Sequence, residues 1–199
     1  MHRRPLIRLL YCVLGAGAGI AFALHLAGPP VSVFFLASLG GSSVFLFGLT
    51  RAPAAQPRAL FGGHLGGAAI GIACYHILGD AAWVYAVAQG LALGVMLLTR
   101  TVHPPAGTNP ILMIYVHAGW SALILPVFIG VAALALWAVV WSRLFPGLVR
   151  YPVSWFQCSP SWALWGGWDE IPVTTETARS LSGSALDQCD QSSAGSAVK

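Results

Sequence analysis

The feature that most constrains this chain is where its charges are absent. Up to Tyr151 there are eight arginines and a single acid, Asp80. Arg3, Arg4 and Arg8 lead, then come Arg51 and Arg58, Arg100, and finally Arg143 and Arg150. Each group flanks an apolar run, and none lies inside one. With 57% hydrophobic and 8% charged residues, the chain cannot cover a water-facing surface, since soluble domains carry about 25% charge. It must be solvated by lipid, and the expectation is an integral membrane protein. The net charge of +4 is spread along interfaces rather than gathered on one face, so it does not point to nucleic acid.

The runs read as helices. Leu9 to Leu26 is a first span with Gly15, Gly19 and Ala23 on one ridge, and the Gly28–Pro30 stretch ends it. The basic start followed by an apolar run resembles a signal peptide. Further apolar runs follow at once, so the expectation is a retained first helix. Val31 to Leu49 is a second run with a small, polar centre, "ASLGGSSVF". Leu60 to Leu78 carries Gly63, Gly67 and Gly71 every fourth residue, beside His64, and Ala82 to Leu98 carries Gln89 at mid-depth. The last apolar stretch, Ile111 to Trp141, is too long for one span and too short for two. Length favours a short re-entrant half-helix from about Ala106 to Val116 plus one long span. Charge favours six crossings, because that keeps every arginine group on one side. The expected fold is therefore all-α, a polytopic transmembrane helical bundle of five or six spans that includes broken or re-entrant helices.

Two domains of unequal character follow: a transmembrane domain over 1–152, and over 153–199 a Trp-containing interfacial segment with a disordered polar tail. Trp155, Trp162, Trp165 and Trp168 suit a membrane interface. Cys12, Cys74, Cys158 and Cys189 form no close pair, so neither a metal knuckle nor a redox dithiol is expected.

The chemistry concentrates in "RTVHPPAGTNP", Arg100 to Pro110. A helix starting near Pro105 would tolerate proline at its first turn and aim free N–H groups back toward Thr101 and His103. That suits a small anion, as broken helices in transporters do. The alternative is a rigid turn that only orients two helices. The candidate substrate path consists of His103, Pro104, Pro105, Gly107, Thr108 and Asn109. Gly40, Gly41, Ser42 and Ser43 are expected to face it, and Gln56, Arg58 and His64 to form an entrance or bracing network. His64 also has the simpler reading of a satisfied buried histidine. Transport at this break requires both broken segments on one water-accessible path; dry packing argues against the assignment. No catalytic residues, metal site or cofactor are expected: there is no paired carboxylate, no triad partner for a serine, no GxGxxG and no P-loop.

Several motifs together resemble the HPP family of small integral membrane proteins. The hallmark stands here as "HPPAGTNP", His103 to Pro110. The family's "FGASxVLLF…AQPRN…GGH" pattern is matched by "LGGSSVFLFGLTRAPAAQPRALFGGH", Leu39 to His64, and its "GWS…LP" by "GWSALILP", Gly119 to Pro126. The resemblance covers about Arg8 to Pro152. It departs at Leu39 for Phe, Gly41 for Ala, Ala59 for Asn and Thr108 for Ala. It implies a bundle of four or five transmembrane helices. Some plastid and cyanobacterial members are linked to nitrite transport, which implies a small-anion transporter or channel here, with nitrite as the named anion. The partners expected are a small inorganic anion, membrane lipids and a second copy in a homo-oligomer such as a dimer, with no nucleic acid. The location expected is a bacterial inner membrane. The competing expectation is a non-transporting scaffold or assembly subunit, using the Gly63/Gly67/Gly71 ridge between proteins.

Overall fold

A computed structural model describes residues 3–27, 33–144 and 147–161. The Gly28–Pro30 stretch, Trp162, Trp165, Trp168, Cys189 and the polar tail lie outside these. The described residues form an all-helical bundle: α1 (Arg3–Ala27), α2 (Val33–Ser43), α3 (Pro57–Leu78), α4 (Ala82–Leu98), α5 (Asn109–Tyr115) and α6 (Ile129–Leu144). A π-turn over Val44–Gly48 continues α2, and short 3-10 turns cover Pro53–Ala55, Pro104–Thr108 and Trp120–Leu123. Three helical stretches are long and apolar enough to cross a membrane: Pro5–Ala27, Pro57–Leu78 and Trp120–Leu144. Large apolar side chains such as Leu9, Val13, Leu91 and Ile77 are exposed on the outside, as a lipid-facing surface requires.

The segment after Arg100 runs the full length of the bundle. It leaves the arginine end and finishes where His117 meets Asp80, 2.8 Å away, in the α3–α4 turn. Of the two expectations for this segment, re-entrant half-helix or crossing, the structure has the traverse. Its brevity has a physical reason. The 17 residues of α4 rise about 26 Å as α-helix. The returning chain uses extended backbone around Val102 and then a 3-10 turn, which climb about 3.3 and 2.0 Å per residue. After α6 the chain is back at the first end, where Arg143 donates to the Tyr151 carbonyl and Gln56 accepts from Val153 and Ser154. The arginine groups therefore share one end, as the charge argument expects.

Both ends of the returning segment are closed by the same device. Arg100 and His117 have φ of 55° and 50°, the left-handed conformation of a helix C-terminal cap. Thr101 N–H bonds Met96 and Arg100 N–H bonds Leu97; Ala118 N–H bonds Met113 and His117 N–H bonds Ile114. Glycine would hold these positions without strain. Here each side chain compensates elsewhere: Arg100 Nε donates to the Ser159 carbonyl, and His117 stacks on Tyr75 at 4.9 Å and bonds Asp80.

Small residues set the two close seams. Gly15 and Gly19 on α1 admit Trp141 and Trp137 of α6, whose indole N–H groups donate to the Tyr11 and Gly15 carbonyls. On α3, Gly63, Gly67 and Gly71 admit His103, Ala106 and Pro110, so the ridge is filled within the chain. A Cβ on Gly71 would sit 2.6 Å from the Pro110 Cα and carbonyl oxygen. Backbone cannot swing aside as a side chain can. Gly71→Ala is expected to cost about 1–3 kcal/mol of stability, while Gly66→Ala, whose Cβ meets nothing within 4 Å, should gain up to about 1 kcal/mol. Unfolding midpoints in detergent check both.

At the other end, hydrogen bonds from His117 and Tyr85 hold the Asp80 carboxyl below the usual carboxylate range. A depressed folded value means this latch contributes fully above the unfolded value and is lost as pH falls through the folded one. Asp80→Ala should speed hydrogen exchange at the His117 and Ala118 amides near neutral pH and abolish the acid dependence that the parent shows there.

Candidate functional site

Regular α2, whose Gly40–Ser43 stretch is helical rather than unwound, and the break before α5 meet at the centre of the bundle. Ser38 and Ser42, one helical turn apart, face inward from α2. His64 comes from the glycine ridge of α3, His103 from the end of the extended link and Asn109 from the first residue of α5. All five are 0% exposed. The imidazoles lie 5.1 Å apart, centre to centre, with Phe45 5.6 Å from His103.

The hydrogen bonds can be assigned from what each group is able to donate. The Ala54 carbonyl only accepts, so His103 Nδ1, at 2.6 Å, carries a proton. The Asn109 amide nitrogen lies 3.0 Å from both the His64 carbonyl and His64 Nδ1. A carbonyl cannot bond the amide oxygen, so the nitrogen donates to both and His64 Nδ1 accepts. His64 Nε2 then carries the proton and donates to Ser42 Oγ at 2.8 Å. Ser42 has one proton and two remaining acceptors: His103 Nε2 at 2.8 Å and the Ser38 carbonyl at 3.0 Å.

That choice makes Ser42 a rotor. With neutral His103 the hydroxyl turns to Nε2. With His103 protonated, Nε2 donates to Ser42 and the hydroxyl turns to the Ser38 carbonyl. A proton added here would need only that rotation, with no heavy atom displaced. No carboxylate accompanies that charge: among the described residues the lone acid is Asp80, at the far end, and no group of three His, Cys, Asp or Glu side chains gathers to hold a metal. A positive charge here would be balanced most directly by an anion. Asn109 Oδ1 is buried without a partner.

The other candidates fall into three places. Gly41 and Pro105 pack together, a Cβ on Gly41 meeting Pro105 Cβ at 2.9 Å, and Ser38 Oγ donates to the Pro105 carbonyl; these belong to the cluster's wall. Gly107 lies toward Gln89, while Pro104 and Thr108 are exposed, with the Thr108 hydroxyl turned to the Pro105 carbonyl. Gly40 does not face the break; nothing lies within 4 Å of a Cβ built there, and its carbonyl takes the Ser43 hydroxyl. Gln56 and Arg58 stand at the arginine end. Gln56 donates to Thr50 and Ala52, and Arg58 Nη2 donates to the Thr99 carbonyl at 3.0 Å. His64 is at the centre of the cluster, not at an entrance. Ser38 and the Ala54 carbonyl were not singled out from sequence; Ser38 stands one turn before Ser42, which was the available signal. The Gly40–Ser43 helix and the HPP segment do meet, through side chains closed off from the surface.

The family model for "HPP, transmembrane region" matches residues 1–152. A transmembrane protein of Dictyostelium discoideum is 29% identical over 133 residues, 63% of this chain and 42% of its own length. A second from the same organism is 30% identical over 129 residues, 61% of this chain and 45% of its own length. The chain thus spans less than half the length of these relatives. No solved structure matches.

Removing the Ser42 hydroxyl strands one donor, His64 Nε2–H, and one acceptor, His103 Nε2. Ser42→Ala is expected to cost about 1–3 kcal/mol for each stranded group. Ser43→Ala should cost under about 1 kcal/mol, because its hydroxyl meets the Gly40 carbonyl alone. Chemical unfolding of the two variants side by side reads the difference.

Proposed function

The chain belongs to the HPP transmembrane family, and from that premise we propose that it moves a small inorganic anion, nitrite being the named candidate, across a membrane. The observation that carries the reading is the Ser42 rotor between two buried histidines. It would let an apolar bundle hold one positive charge at its centre when an anion enters with it, no carboxylate being there to neutralise it. An anion entering with that proton would cross as a neutral pair, which avoids the cost of an isolated charge in a low dielectric. His103 would carry the proton and Ser42 would reorient, while the Asn109 amide, both of whose N–H groups go to His64, would hold that imidazole in place.

The dry packing shapes this proposal. An open aqueous pore through the HPP segment does not fit side chains that are 0% exposed. The arrangement fits the closed state of a carrier that opens on one side at a time. The arginine end would face the cytoplasm by the positive-inside rule, in a bacterial inner membrane. No catalytic role is proposed for any residue.

The closed cluster also favours a second reading, a polar clasp that only fixes two broken helices in a membrane scaffold. Flux separates the two. Purified protein in liposomes is expected to pass nitrite in preference to nitrate, formate and chloride, faster at the more acidic of two pH values. His103→Ala and Asn109→Ala, shown to be folded, should lower that flux at least tenfold. Absence of flux above empty liposomes, from inserted and folded protein, would leave the clasp as the function of the HPP segment.

A further inference from the structure

At the arginine end a cavity of about 630 Å³ opens between α1, the loop after α2 and the end of α6. Its floor is apolar, with Leu46, Phe47 and Trp141, and its rim carries Arg8 and Arg51. Both rim arginines are exposed, and among the described residues neither makes a hydrogen bond or ion pair. Of the other arginines at this end, Arg58 donates to the Thr99 carbonyl, Arg100 to Ser159 and Arg143 to Val139 and Tyr151, and Arg150 lies outside the cavity lining.

A hollow with an apolar floor and a cationic rim, placed where charge meets lipid, fits an amphiphile with an anionic head. An inorganic anion would gain nothing from Leu46 and Phe47, and a zwitterionic lipid would bring its own cation beside the guanidinium groups, so that its phosphate gains less there than that of a lipid with net negative charge. Arginine also matches phosphate geometry through paired N–H donors. We propose that this cavity binds one anionic phospholipid of the adjoining leaflet, with its phosphate between Arg8 and Arg51 and an acyl chain laid against Leu46, Phe47 and Trp141. The wall it would brace is the stretch that leads to Ala54, whose carbonyl holds His103. The site stands independently of any transport activity.

The test titrates the full chain in mild detergent with phosphatidylglycerol, phosphatidylcholine or inorganic phosphate, reading the unfolding midpoint and lipid retained in native mass spectrometry. Phosphatidylglycerol should raise the midpoint saturably and stay bound at one per chain, and the other two should not. Arg8→Gln and Arg51→Gln should each weaken binding about fivefold. Arg150→Gln, on the same end but outside the cavity lining, should leave it unchanged. Gly48→Leu offers an independent check, since Gly48 lines the cavity and a Cβ there meets nothing within 4 Å; the added side chain should obstruct the lipid while the fold stands. An equal response to phosphatidylcholine, saturation by inorganic phosphate alone, or an equal loss in Arg150→Gln would each overturn the site.

Discussion

Everything distinctive in this bundle follows from one demand: a peptide group that leaves the helix at membrane depth must find its partner inside the chain. Each failure costs several kcal/mol in hydrocarbon. The path from Leu98 to Asn109 leaves α-helical geometry, and its groups are met one by one. Val102 N–H finds Ser159 Oγ, the Pro105 carbonyl finds Ser38 and Thr108, and the Arg100 carbonyl finds the Ser159 N–H. The polar residues that interrupt the apolar runs serve first as partners for broken backbone. Any transport chemistry is built on the same groups.

Close approach is the second consequence. A 3-10 turn and an extended link can be buried only if a neighbouring helix presents almost no side chain. The Gly63, Gly67 and Gly71 ridge does this for His103, Ala106 and Pro110. On the other side, α1 uses Gly15 and Gly19 to take in two tryptophans. Packing and hydrogen bonding thus reinforce each other. The glycines bring His64 close enough to receive Asn109, and Asn109 in turn holds His64 by both its ring and its carbonyl.

Much of this was legible in sequence because it is local. Apolar run length located α1, α3 and α4, and the four-residue glycine spacing marked the packing face of α3. The arginine clusters indicated one common end, and the connections at Gln56, Arg143 and Tyr151 place them there. Of the two readings left open for Ala106 to Val116, the charge argument points to the crossing and the length argument does not, because counting residues assumes α-helical rise throughout. The pairing of Ser42 with two histidines from different helices was not legible, since periodicity says which face a residue occupies and not what crosses it. Gly40 illustrates the limit: it adjoins Gly41 in a polar string, yet one residue of helical rotation turns it away.

Gln56 and Ser159 lead to a different point. Buried Gln56 receives the Val153 and Ser154 amides, and Ser159 serves both Arg100 and Val102. These donors and acceptors lie beyond residue 152, where the family match ends. The hereditary unit and the mechanical unit therefore have different borders. Chain beyond the matched region acts as a buckle on that region's most irregular turn.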